Sequence, residues 1–121
     1  MEVTQLAPRG LFGRCHRLRT RADFTRVFRG GRRLRSRHFA VVARAPASGG
    51  QGSRLGLAVS RKCGNAPARA RLRRLVREAF RSLRHDLTLP IELVVRPLGP
   101  WPEADAHAVH AELGALLQQL E

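Results

Sequence analysis

Apolar positions along the chain recur first at helical spacing, then as short β-branched runs, then again at helical spacing, and these changes of period mark out the elements. Phe24, Val27 and Phe28 fall at i, i+3 and i+4 behind Thr20, which can cap, with Asp23 three residues on as in a capping box. Gly30 and Gly31 close a predicted helix over 21–29 with an aromatic face. His38 to Arg44 reads as a strand, and the loop PASGGQGS leads to a second strand, Arg54 to Val59. In that strand Leu55, Leu57 and Val59 point one way, while Gly56 and Ala58 point the other. The two strands are expected to pair antiparallel. A long helix is predicted from Pro67, well placed at a first helical position, to Arg84, with Leu72, Leu75, Val76, Ala79, Phe80 and Leu83 as one stripe. A strand at Ile91 to Arg96 follows. A last helix carries Val109, Leu113, Leu116, Leu117 and Leu120 on one face. The order is helix, two or three strands, helix, strand, helix: an α/β chain of sandwich type. Residues 1–15, with Pro8, Gly10, Gly13 and no sustained period, read as a flexible basic arm, and residues 16–121 as a single domain.

Charge changes the picture from fold to partner. The 121 residues carry a formal net charge of +14, but Arg9 to Arg84 holds 22 basic residues against Asp23 and Glu78 alone, and His85 to Glu121 holds one base and six acids. That much unneutralised positive charge strains a compact fold, so a polyanionic partner is expected. All the cations but Lys62 are arginine, whose planar fork suits phosphate oxygens and whose face stacks on bases, although a GC-rich coding bias accounts for much of that preference. Cys15 and Cys63 have no metal-ligand spacing and read as reduced thiols. No apolar run is long enough for a membrane span and no secretory leader is visible, so a cytoplasmic protein without a membrane partner is expected.

The chemistry concentrates in RLGLAVSRKCGNAPARARLRRLVREAFR, Arg54 to Arg81. A strand ends in a tight turn, Ser60 to Asn65, and the helix behind it presents free backbone N–H groups and arginines in its first two turns, an arrangement that binds phosphate. GxxxxGK[ST] is absent, so this is no Walker A loop. A charge run is usually a solvated face, but such faces mix signs, and here Glu78 is the only acid between Asp23 and Asp86.

Arg54-x-Gly56-x-x-Val59-Ser60-Arg61-Lys62-x-Gly64-Asn65-Ala66, followed by Arg69-Ala70-Arg71-x-Arg73-Arg74-x-x-Arg77-Glu78, resembles the signature of the protein subunit of bacterial ribonuclease P. Asp23-Phe24, Val27-Phe28, Gly30 and Phe39 are similar to that family's first helix and strand, so the resemblance runs over about residues 17–120. Ala70 stands where the family signature has Asn, and Pro67 replaces an aliphatic position. The resemblance implies an αβββαβα domain with a left-handed βαβ crossover. It also implies a catalytic RNA subunit as partner, precursor tRNA as substrate, and Mg²⁺-dependent release of the 5′ leader carried out by the RNA, with no obligate protein partner. Arg61, Lys62, Asn65, Arg69, Arg71, Arg73, Arg74 and Arg77 are the residues expected on the RNA subunit.

For the leader, the small row Gly56, Ala58 and Ser60 is expected to floor a groove walled by Phe24 or Phe28, where single-stranded bases would stack. Core packing is the alternative for both phenylalanines. The residues themselves place no catalytic group and no metal on the protein: the acids are scattered, with no carboxylate pair near the Arg-rich loop. His107 and His110 with Glu103 can be drawn as a metal face but read better as solvent-exposed helix positions. His16, His38 and His85 stand among arginines and suit phosphate or water. The competing function is a small ribosomal-type or RNA-chaperone protein unrelated to tRNA processing.

Overall fold

In the computed structural model, residues 17–18, 20–46 and 52–120 are described. The arm over 1–15, Cys15 and His16 lie outside them. The elements are α1 (Arg21–Gly30), β1 (Arg32–Arg35), β2 (Phe39–Arg44), β3 (Arg54–Leu57), a 3₁₀ turn (Arg61–Cys63), α2 (Ala66–Leu83), a second 3₁₀ turn (Arg84–Asp86), β4 (Glu92–Pro97) and α3 (Ala106–Leu120). The order is αβββαβα.

Local chemistry sets most of the boundaries. Thr20 Oγ1 accepts from Asp23 N at 3.0 Å and Asp23 Oδ2 accepts from Thr20 N at 3.3 Å, the reciprocal box that starts α1. Asn65 caps α2 by accepting from Ala68 N at 3.0 Å, one residue ahead of the expected start. Asp105 caps α3 in the same way, accepting from Ala108 N at 2.8 Å. Gly64 bridges the 3₁₀ turn and α2 at φ 126°, a conformation that side chains other than glycine's rarely adopt.

The sheet order is β1-β2-β4-β3. This corrects the expected pairing: β2 and β3 are not neighbours, because β4 lies between them, antiparallel to β2 and parallel to β3. The physical reason is burial. Val41–Ala43 in β2 and Leu93–Val95 in β4 are buried throughout, so both faces of these strands need cover and they take the centre. β1, a third strand with the sequence RRLR, takes an edge, as does β3. The parallel β3 and β4 are joined through α2, the βαβ unit the resemblance calls for.

Alternation along the strands gives the sheet two different covers. Phe39, Val41, Ala43, Leu55, Leu93 and Val95 face Leu72, Leu75, Val76, Ala79 and Phe80 of α2 and Val109, Leu113, Leu116 and Leu117 of α3, forming the main core. Val42 and Val94 face the other way, onto Leu18 and Val27, with Phe24, Phe28 and Ala58 packed around them. Among the described residues, α1 and Leu18 thus cover the second face, and they do so only in part.

Candidate nucleic-acid interface

The partly covered face is best built row by row from the strand register. Its first row is Arg44, Glu92, Arg54. Glu92 is 3% exposed, and both its oxygens are taken: Arg26 Nη2 donates to Oε1 at 2.6 Å and Oε2 at 2.7 Å, and Arg54 Nη2 donates to Oε2 at 2.7 Å. Those bonds raise the Arg26 guanidinium above its ordinary value. Asp23 joins through contacts of 3.3 Å to Arg26 and 3.4 Å to Arg54. This network clamps α1 to the sheet.

The second row is Arg33, Val42, Val94, Gly56, and α1 lies directly on it. A Cβ at Gly56 would stand 2.8 Å from Cε1 of Phe24 and 3.2 Å from Cβ of Leu18, so glycine is what lets the helix approach. Gly56 is buried beneath Phe24 and is no open floor. The expectation that residue 56 itself meets the leader is corrected here: its smallness serves α1.

The third row, Arg35, Ala40, Arg96, lies beyond the helix, and Ala58, held by its N–H to Val95 O at 3.0 Å, extends it on the β3 side. Here a cavity of about 250 Å³ opens, floored by Ala40, Val42 and Val94, walled by Phe28, and edged by Arg33, Arg35 and Arg96. Arg33 donates to Phe28 O at 3.1 Å, and its guanidinium carbon sits 5.9 Å from the centroid of that ring, a cation against an aromatic face. Phe28 is therefore in the cleft and Phe24 is in the packing. Ala58 is half-buried and Ser60 exposed, leading towards Arg61 and Lys62, which are also exposed. Arg33, Arg35, Arg96 and Ala40 were not among the expected site residues. The available signal was the alternation of Arg33 and Arg35 about Leu34, followed by Ser36-Arg37-His38 as a hairpin turn.

The second cationic surface is α2. Arg69, Arg73 and Arg77 succeed one another at four-residue spacing along one flank, Arg74 is exposed, and Arg71 lies on the opposite flank. Burial, then repulsion from Arg17 and Arg73, lowers Arg77 below the usual arginine value. Nε of Arg69 is buried without a hydrogen-bond partner among the described residues. Among the described residues no ion pair joins Arg61, Lys62, Arg69, Arg71, Arg73, Arg74 or Arg77 to a carboxylate; the acids that form ion pairs there, Asp23, Glu92 and Glu112, serve Arg26, Arg54 and His38. Asn65 spends its side-chain oxygen on the helix cap. Such crowding of like charge is relieved by an anion.

The family model for Ribonuclease P matches residues 12–121. The chain belongs to the ribonuclease P protein family. It is 38% identical over 114 residues to the ribonuclease P protein component of Thermotoga petrophila, covering 91% of this chain and 96% of that one. With the corresponding component of Desulfovibrio desulfuricans it shares 39% identity, over 93% of this chain and 88% of the relative. The Thermotoga maritima RNase P protein structure superposes with a TM-score of 0.73 at 34% identity, covering 87% of this chain and 97% of that chain. A Staphylococcus aureus RNase P protein structure superposes at 0.76 with 26% identity, over 88% and 95% of the two chains. The mixed α+β fold and the role of a ribonuclease P protein component follow. Among the described residues no helix is long and apolar enough to cross a membrane, and no group of three or more His, Cys, Asp or Glu is placed to hold a metal ion. His107, His110 and Glu103 are exposed.

Proposed function

We propose that this chain is the accessory subunit of a ribonuclease P whose RNA carries the chemistry. The arginine flank of α2 and the Arg61–Asn65 turn bind the RNA subunit, and the cleft beside α1 holds the 5′ leader of precursor tRNA. The observation that carries this reading is the third row of the sheet: small Ala40 between Arg35 and Arg96, with Phe28 as a wall, suits a single strand whose bases stack while its phosphates meet cations. Stacking is tolerant of sequence, so the leader is held rather than read. Mg²⁺ belongs to the RNA, whose phosphates supply oxygen ligands, and the protein's part is to neutralise charge where the two RNAs meet. The family membership favours this over a ribosomal-type or RNA-chaperone role. A cytoplasmic location fits the same reading.

The test is leader removal from precursor tRNA with purified protein, with RNA subunit, and with both, across a Mg²⁺ series. The expected result is no cleavage by protein alone, and a lower Mg²⁺ requirement for the RNA once the protein is added. RNA-free protein that removes the leader, or an unchanged Mg²⁺ profile, refutes it.

A further inference from the structure

On the other side of the sheet from the cleft, at the foot of α2, lies a cavity of about 360 Å³ that backs onto the Arg61–Asn65 turn and has Trp101 in its far wall. Cys63, Ala68 and Arg71 bound it on one side, and Pro100, Trp101 and Pro102 on the other. The geometry points to a socket for one unpaired nucleobase of bound RNA. This rests on the chain being an RNA-binding subunit, and it adds a site to it.

Three features carry the assignment. The first is a fixed aromatic wall. His38 stacks on Trp101 with ring centroids 3.6 Å apart and planes 4° from parallel, and Phe39 meets the indole edge-on at 5.7 Å. His38 is itself held by Glu112 of α3, through Nδ1 at 2.7 Å and through its backbone N–H at 2.7 Å, while Ser36 Oγ donates to the same carboxylate. Leu98 N donates to His38 O at 2.9 Å, so the segment leading to Trp101 is tied to the β1–β2 turn as well. An indole placed in advance loses little freedom when a base stacks on it.

The second feature is charge. Arg71 lines the socket, and Arg61 and Lys62 are exposed in the turn just before α2, so the phosphates on either side of an inserted base meet cations. Among the described residues no carboxylate lines it; Asp105, the acid that caps α3, is occupied there. The third is shape. Ala68 and the two prolines, short or rigid side chains, leave about 360 Å³ open beside the Trp101 ring, room enough for a planar base.

Trp101 is the only tryptophan in the chain, so its fluorescence reports on the socket directly. The full-length protein is titrated at low salt with short single-stranded oligoadenylate and with an abasic ribose-phosphate oligomer of equal length. Oligoadenylate is expected to quench Trp101 saturably, whereas the abasic oligomer binds through charge without that quench. Ala68→Leu puts three more carbons into the socket beside Trp101, narrowing it, and changes no charge. It is expected to abolish the quench and to weaken oligoadenylate by about tenfold, within the range that base–aromatic stacking carries. Equal quenching by both oligomers, or full affinity and quench in folded Ala68→Leu, overturns the socket. Should Ala68→Leu not fold, Trp101→Phe and Trp101→Leu replace it: Phe is expected to keep most of the affinity and Leu to lose it, and equal behaviour overturns the proposal. Affinity for the RNA subunit is measured alongside. Wild-type protein that fails to bind that RNA refutes the functional reading, whereas binding indifferent to Ala68→Leu refutes the socket alone.

Discussion

Glu92→Gln tests whether the clamp on α1 is what holds the cleft in shape. The carboxylate is 3% exposed and receives Arg26 and Arg54, themselves 27% and 23% exposed. The amide keeps the size and removes the charge, leaving two guanidiniums to share Asp23 alone, at 3.3 and 3.4 Å. Removing one partner of a buried ion pair costs about 3–5 kcal/mol, and here about 2–3 kcal/mol is expected because both arginines reach water and recover part of their solvation. For a domain near 100 residues each kcal/mol moves Tm by about 4–8 °C, so a fall of about 10–20 °C is predicted. Thermal unfolding followed by circular dichroism measures it. Replacing Arg54 by Gln in the same protein should recover part of the loss, since Arg26 then has Asp23 to itself. A fall below about 3 °C would put the network in the class of exposed ion pairs, worth about 0–1 kcal/mol, and α1 would then be held by Val27 and the phenylalanines alone.

Other outcomes follow from the same geometry. Reversing Arg69, Arg73 and Arg77 together to Glu should flatten the salt dependence of RNA-subunit binding, each lost phosphate contact removing about 0.7–0.9 from the log–log slope; an unchanged slope in a folded variant would make that flank merely solvated. Ala58→Leu, at the β3 end of the third row, should weaken leader-bearing tRNA more than mature tRNA in equilibrium binding; equal effects would place the leader elsewhere. Burial alone would push Glu112 up, but hydrogen bonds from the Ser36 hydroxyl and from the ring and backbone N–H of His38 outweigh it and leave the carboxyl below its ordinary value of 4.5. A lowered carboxyl contributes stability that is fully present above the unfolded value and lost as pH falls through the folded one. Acid melting below about pH 4.5 should therefore be steeper for wild type than for Glu112→Gln, and parallel curves would remove Glu112 from the account.

The helices were legible because each carries its own signals. The Thr20–Asp23 box, Pro67 in a first helical turn and the apolar stripes are local, and they place α1 and α2 within a residue of the expected ends and α3 on its expected apolar face. β1 was not legible as a strand: three of its four side chains are arginine and only Leu34 is apolar, so no period stands out. From period alone, with β1 unmarked and β4 given no neighbours, the nearest available pairing was β2 with β3. Strand order is decided by which strands need cover on both faces, and that is a property of the whole chain. The α2 cations were legible for the same reason as the helix, since one continuous element displays them. Arg33, Arg35 and Arg96 were not, because they form a cluster only when β1, β2 and β4 lie side by side.

Gly56 shows why the cleft sits where it does. The helix needs a place to touch the sheet, and the pair Gly56 and Val94 provides a low spot on which Phe24 rests. With Phe24 fixed there and Arg26 bound to Glu92 in the row before, α1 is held over the first two rows and stops short of the third. Phe28, one turn further on, then overhangs Ala40 and Arg96 without covering them. A larger residue at 56 would lift Phe24, tilt α1 and alter the opening beneath Phe28, so this glycine acts on the cleft from within the packing. The small residues at the end of the chain's third strand thus divide their work: Gly56, within β3, admits the helix, and Ala58, just past β3, stays small beside Val94 at the margin of the α1 packing.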